Sequence, residues 1–103
     1  MKDLQKKVMD LVERYNLKHS SEVSALDLVS EIGEVAKEIL KSGNYGKNPP
    51  QKTAAMKGEL GDALYSLITL ANAFDVDLDE ALNFVLKKYE ERIKKTDSSG
   101  SGR

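Results

Sequence analysis

The chain has 103 residues, 40% apolar and 32% charged, enough for one domain of roughly 13 Å radius of gyration and too few for a second core. Its 16 basic and 17 acidic side chains leave a formal charge of -1, which argues against generic binding to nucleic-acid backbones or acidic membranes. Cysteine is absent and His19 is the single histidine, so disulfides, cysteine nucleophiles and thiolate or polyhistidine metal sites are excluded.

Leu4, Val8, Leu11 and Tyr15 recur at spacings of three and four, which predicts an amphipathic helix over 3–17. A second helix opens at Ser20 or Ser21, whose hydroxyl caps free backbone N–H groups, and carries Ala25, Leu28, Val29, Ile32, Val35, Ala36, Ile39 and Leu40. Gly43 and Asn44 are expected to end it in left-handed geometry. The glycine, asparagine and proline of 42–49 predict the longest loop, and Pro50 suits the first turn of a third helix over 50–74.

That third helix has an apolar arc wider than one stripe (Met56, Leu60, Ala63, Leu64, Leu67, Ile68, Leu70, Ala71, Phe74), so it is expected to be covered on several sides. Asp77 and Glu80 resemble a capping box before a fourth stripe, Leu78, Leu82, Val85, Tyr89 and Ile93. The expectation is an all-α four-helix bundle over 1–95, with the polar residues 96–103 a flexible tail or an expression remnant. No apolar run reaches the roughly 18 to 20 residues that cross a bilayer, and the N-terminus lacks the apolar stretch of a signal peptide. A soluble cytoplasmic protein is expected.

One pattern occurs twice: Glu31-Ile32-Gly33-Glu34 on helix two and Glu59-Leu60-Gly61-Asp62 on helix three. Helical residues three apart differ by about 60° in direction and about 4.5 Å in height, so each pair projects two carboxylates to one side. A mid-helix glycine costs about 1 kcal/mol relative to alanine, and its presence twice suggests close approach of a backbone or a ligand. If the pairs face each other, a cation must offset their repulsion, and all-oxygen ligands favour Mg²⁺ or Mn²⁺. The residues also allow a plainer reading. Glu31, Glu34 and Glu38 lie away from most apolar positions of helix two, as a solvated face does, whereas Glu59 and Asp62 sit in a mostly apolar neighbourhood. A di-iron carboxylate bundle is disfavoured, because its paired Glu-x-x-His elements are missing.

At these residues the sequence resembles the MazG-like all-α NTP pyrophosphohydrolase superfamily, which includes dCTP pyrophosphatases and dimeric dUTPases. The resemblance runs over about residues 4–93 and rests on Glu31-x-x-Glu34, a spacer of 24 residues, Glu59-x-x-Asp62, and the strings LVSEIGEVAKEI and GELGDALYSLITLA. It implies that Glu31, Glu34, Glu59 and Asp62 are the Mg²⁺ ligands, while Ser30 replaces the first glutamate of the family motif. Lys88-Tyr89-x-x-Arg92 is similar to a Lys-Phe-x-x-Arg element whose cations meet the triphosphate, although Leu86 stands where an asparagine is expected. His19 matches a histidine near the nucleotide in dCTP-pyrophosphatase-like relatives.

The implied activity is Mg²⁺-dependent cleavage of a nucleoside triphosphate between its α and β phosphates, in nucleotide-pool housecleaning. Glu38, one turn beyond Glu34, is the candidate catalytic residue for orienting or deprotonating water; His19, Lys88 and Arg92 are candidate substrate contacts. Tyr45 and Lys47 are candidates to close over base or phosphates. Phosphoribosyl-ATP pyrophosphohydrolase is an alternative, weakened because Ser66 follows Tyr65 where that family has histidine. A non-catalytic dimerisation module is another. The resemblance and the broad arc of helix three both imply an intertwined homodimer or homotetramer.

Overall fold

A computed structural model describes residues 2–96, which form four helices and no strand: α1 Lys2–Arg14, α2 Ser21–Ser42, α3 Ala54–Ala73 and α4 Leu78–Thr96. Of the tail expected over 96–103, Thr96 instead belongs to α4, and 97–103 lie outside the described residues.

Local chemistry sets the helix ends. Ser20 Oγ accepts from Val23 N–H at 3.2 Å and starts α2, as its sequence position predicts. Three helices stop by one device, the paired six-to-one and five-to-two bonds of a Schellman motif. Leu17 N–H reaches Val12 O at 2.9 Å, Tyr45 N–H reaches Leu40 O at 2.8 Å, and Val76 N–H reaches Ala71 O at 2.9 Å. The left-handed residue is Asn16, Asn44 or Asp75, with φ of 54°, 51° and 55°. Short polar side chains tolerate that conformation better than other non-glycine residues.

Two local expectations are corrected. Gly43 is not left-handed; its φ is -103°. It is required for space, because a Cβ there would lie 2.5 Å from the carbonyl oxygen of Asn48, whose N–H folds back onto Gly43 O at 2.9 Å. The third helix begins at Ala54 rather than Pro50. Thr53 supplies the cap, accepting from Met56 N–H at 3.3 Å, while Gln51 N–H is held by Ser42 Oγ at 3.0 Å and keeps the preceding segment out of the helix. Asp77 caps α4 as expected, accepting from Asp79 and Glu80 N–H at 2.9 and 3.3 Å.

The α2–α3 hairpin is the main packing unit, and α1 leans on α3. Helix α4 makes only marginal helix-to-helix contact and is fastened at its start by polar groups. Gln5, buried on α1, is the clamp. Its Nε2 donates to Asn72 Oδ1 at 3.0 Å and Val76 O at 2.8 Å, and its Oε1 accepts from Leu78 N–H at 2.9 Å. The Lys2 N–H adds a bond to Asp79 Oδ2 at 2.8 Å.

The radius of gyration is 17.0 Å, wider than the 13 Å expected for a compact chain of this length. Among the described residues only Ile68 and Ala71 are buried apolar side chains. The arc of α3 is therefore not covered on several sides by its own chain: Leu60, Leu64, Leu67 and Phe74 stay exposed, as do Leu26 and Val29 of α2 at 70% and Phe84 of α4 at 69%.

Candidate active site

The α2–α3 hairpin brings the two acidic pairs together. Antiparallel register sets Asp27, Glu31 and Asp62 around one open groove of about 340 Å³, with Tyr65 and Ser66 as its remaining wall. Glu34 and Glu59 lie close enough to act on Glu31 electrostatically. Partial loss of water, followed by the charges of Asp62, Glu59, Glu34 and Asp27, raises the pKa of the Glu31 carboxyl above its usual value. Among the described residues no lysine or arginine forms an ion pair with any of these acids. The acids on α2 and α3 are thus a mutually repelling set on facing helices.

The groove adjoins a larger cavity of about 540 Å³ between α1, α2 and α3. Asp27, Tyr65 and Ser66 line both. The cavity has an apolar side of Met9, Val12 and Leu17 and a polar side that includes His19, Ser24, Thr69 and Asn72. Ser24 and Ser66 are buried polar residues on facing helices. Small hydroxyls at these two positions leave the hollow open where larger side chains would fill it.

His19 is exposed and lines the cavity that adjoins the acidic groove, without lining the groove itself. Glu38 is placed differently. Its Oε2 accepts from Thr53 Oγ1 at 2.6 Å, which ties the last turns of α2 to the cap of α3, and it lines neither hollow. Lys88 and Arg92 lie on α4, stacked over aromatic rings: Lys88 Nζ is 5.8 Å from the Phe84 ring centre and the Arg92 guanidinium 5.7 Å from that of Tyr89. They too line neither hollow within this chain. Ser30 is exposed.

Gly33 and Gly61 correct the backbone half of a further expectation. Outside the helix's own neighbouring backbone, no atom of the described residues lies within 4 Å of where a Cβ would sit on either, so no other segment of this chain approaches them, and the approach of a ligand is a separate matter. Sequence reasoning also passed over Asp27. Its signal was its spacing, four residues before Glu31 and one heptad before Glu34, which puts it on the same face of α2. Ser24, Ser66 and Asn72 carried no signal, since a buried hydroxyl or amide in a helix reads like any polar surface position.

Among the described residues, no three acidic or histidine side chains are gathered tightly enough to hold a metal ion as they stand. The donor set nevertheless suits one kind of ion: carboxylate oxygens alone, with excess negative charge, match a hard divalent cation and no softer metal.

An all-α hairpin with facing acidic pairs beside a partly apolar cavity defines a class of nucleotide-handling domain. The chain belongs to the MazG nucleotide pyrophosphohydrolase domain family, which matches residues 19–96. It is a hydrolase acting on pyrophosphate bonds. It is 34% identical over 98 residues to YpjD of Bacillus subtilis (strain 168), an uncharacterised protein, covering 91% of this chain and 86% of the relative. The crystal structure of YpjD from Bacillus subtilis, described there as a proposed pyrophosphatase, superposes with a TM-score of 0.73 at 34% identity, over 89% of this chain and 94% of that one. A Bacillus-conserved MazG protein, described as a nucleotide pyrophosphohydrolase, superposes with a TM-score of 0.72 at 31% identity, over 85% and 86% of the two chains. No helix among the described residues is long and apolar enough to cross a membrane.

Proposed function

We propose that the chain hydrolyses nucleoside triphosphates between the α and β phosphates, with Glu31, Glu34, Glu59 and Asp62 holding Mg²⁺ or Mn²⁺. The observation that carries this reading is the groove lined by Asp27, Glu31 and Asp62, which shares Asp27, Tyr65 and Ser66 with the cavity that His19 lines. A charged, oxygen-lined end and a partly apolar end, sharing one wall, suit a ligand that is phosphate at one end and nucleoside at the other.

Helices α2 and α3 fix the backbones of the four carboxylates, of which Glu34 and Asp62 are exposed and Glu31 and Glu59 half-buried, and side-chain rotation would let the set hold the ion. When bound, Mg²⁺ supplies a Lewis acid that screens phosphate charge and acidifies water. The protein's own part is to orient the α phosphorus. The nucleoside is held in the cavity, with His19 and Thr69 as its polar contacts, and the wall of Tyr65 and Ser66 fixes where the α phosphate enters the acidic groove. Water adds to the α phosphorus as its bond to the bridging oxygen breaks, giving nucleoside monophosphate and pyrophosphate. Glu38 is a positioning residue in this scheme: through Thr53 it sets the first turn of α3, which carries Glu59.

The apolar side chains left exposed on α2, α3 and α4 support a working form that is a homodimer or homotetramer. In that form Lys88 and Arg92 of a second copy are proposed as contacts to the substrate.

The test is a panel of ribo-, deoxy- and damaged nucleoside triphosphates with pyrophosphate release read under Mg²⁺, under Mn²⁺ and in chelator. Release of pyrophosphate and monophosphate that depends on the cation supports the reading. Orthophosphate release, or turnover in chelator, contradicts it.

A further inference from the structure

The tip of the α2–α3 hairpin has the opposite charge from the groove. Residues 37–57 carry five lysines, Lys37, Lys41, Lys47, Lys52 and Lys57, and one acid, Glu38, which Thr53 already engages. All five lysines are exposed, and none forms an ion pair with a described residue. Their placement is not uniform. Lys41 follows Glu34 by seven residues and Asp27 by fourteen, and a helix drifts only about 20° per heptad, so Lys41 continues the acidic face about 10 Å farther along α2. Lys57 is two residues from Glu59, about 200° around α3, and faces away.

The loop brings two more cations to that end. Asn48 N–H bonds to Gly43 O at 2.9 Å and Gln51 N–H to Ser42 Oγ at 3.0 Å, so Lys47 and Lys52 are carried by backbone pinned against the last turn of α2. Lys52 immediately precedes the cap Thr53, which is bonded to Glu38 one turn before Ser42. Along the hairpin the order is therefore cavity, carboxylates, lysines.

We infer that Lys41, Lys47 and Lys52 form a receiving site for the outer phosphates of the nucleotide, the part that leaves as pyrophosphate. The inference rests on the proposed function and adds a direction to it. The nucleoside lies toward Ser24 and Thr69, the α phosphate at Glu31 and Asp62, and the β and γ phosphates toward the hairpin tip. Ammonium groups on flexible stems suit a terminal polyanion without demanding one geometry. The site discriminates by phosphate number and is indifferent to the base.

The experiment compares the wild type with Lys41→Met/Lys47→Met/Lys52→Met and with a charge-matched control, Lys6→Met/Lys7→Met/Lys95→Met, all checked by circular dichroism. The best triphosphate of the panel is the substrate, and inorganic pyrophosphate and the matching monophosphate are separate inhibitors. The tip variant is expected to raise KM and the pyrophosphate inhibition constant about tenfold, the scale of losing a few exposed charge contacts, with kcat and monophosphate inhibition nearly unchanged. The single variant Lys41→Met shows the same selectivity at smaller size. Equal weakening of both inhibitors, no change in either, or the same shift in the control overturns the lysine site while leaving the activity standing. A wild type that hydrolyses no nucleotide overturns the underlying activity and this site together.

Discussion

Thr53 donates to Glu38 Oε2 at 2.6 Å, and the same hydroxyl oxygen accepts from Met56 N–H at 3.3 Å. One side chain thus starts α3 and anchors it to α2, six residues before Glu59. Losing the cap by Thr53→Ala is expected to cost about 1 kcal/mol, measurable by urea unfolding. Glu38→Gln keeps an acceptor for the threonine and is expected to retain kcat within a few fold. A loss of a hundredfold or more with an unchanged melting temperature would instead make Glu38 the group that handles the attacking water.

Gln5 is the second point of leverage. It is buried and bonded to Asn72, Val76 and Leu78, joining α1, the end of α3 and the start of α4. Gln5→Leu takes the side-chain partner from Leu78 N–H, Val76 O and Asn72 Oδ1, while Asn72 Nδ2 keeps its bond to the backbone oxygen of residue 5 at 3.2 Å, and the expected loss is about 2 kcal/mol in equilibrium unfolding. A loss below half of that would mean that water largely replaces the clamp.

The pH dependence of the metal-free protein follows from Glu31. Its pKa in the folded state lies above the usual 4.5, so the folded chain holds this proton more tightly than the unfolded one. The contribution of Glu31 is most favourable below about pH 4.5 and is lost as pH rises through the raised folded value. In chelator, the melting temperature of Glu31→Gln relative to wild type should therefore increase between acidic and neutral pH. A difference that stays flat over that window would show that the acids do not repel as placed.

The exposed apolar faces make assembly measurable. Light scattering is expected to give a mass at least twice the 11.4 kDa of the chain. Val29→Glu, on a residue 70% exposed in the single chain, should lower that mass or the assembly constant. A wild type that runs as a monomer would leave those faces to solvent and contradict the assembly.

Periodicity disclosed the helices well, because Leu4, Val8, Leu11 and their counterparts repeat at a spacing only a helix satisfies. Their starts were legible where a hydroxyl or carboxylate caps, at Ser20 and Asp77. The start of α3 was misplaced because Pro50 is compatible with a first turn while Thr53 offers a bond, and only the fold-back of Gln51 onto Ser42 decides between them. The acidic pairs were legible as a repeated spacing. The cavity was not, since Ser24, Ser66 and Asn72 gain meaning only when α1 is laid across them. The extended form was hidden for a related reason: the pattern of Leu60, Leu64 and Leu67 says that a face wants covering and does not say by which chain.

The central claim is that Glu31, Glu34, Glu59 and Asp62 act together on one divalent cation. Calorimetric titration of Mn²⁺ and Mg²⁺ into the wild type, and into Glu59→Ala and Asp62→Asn confirmed as folded, tests it most directly. Saturable binding in the wild type that both substitutions abolish, along with pyrophosphate release, is the predicted result. Cation binding that survives both substitutions, or full turnover without it, would contradict the account.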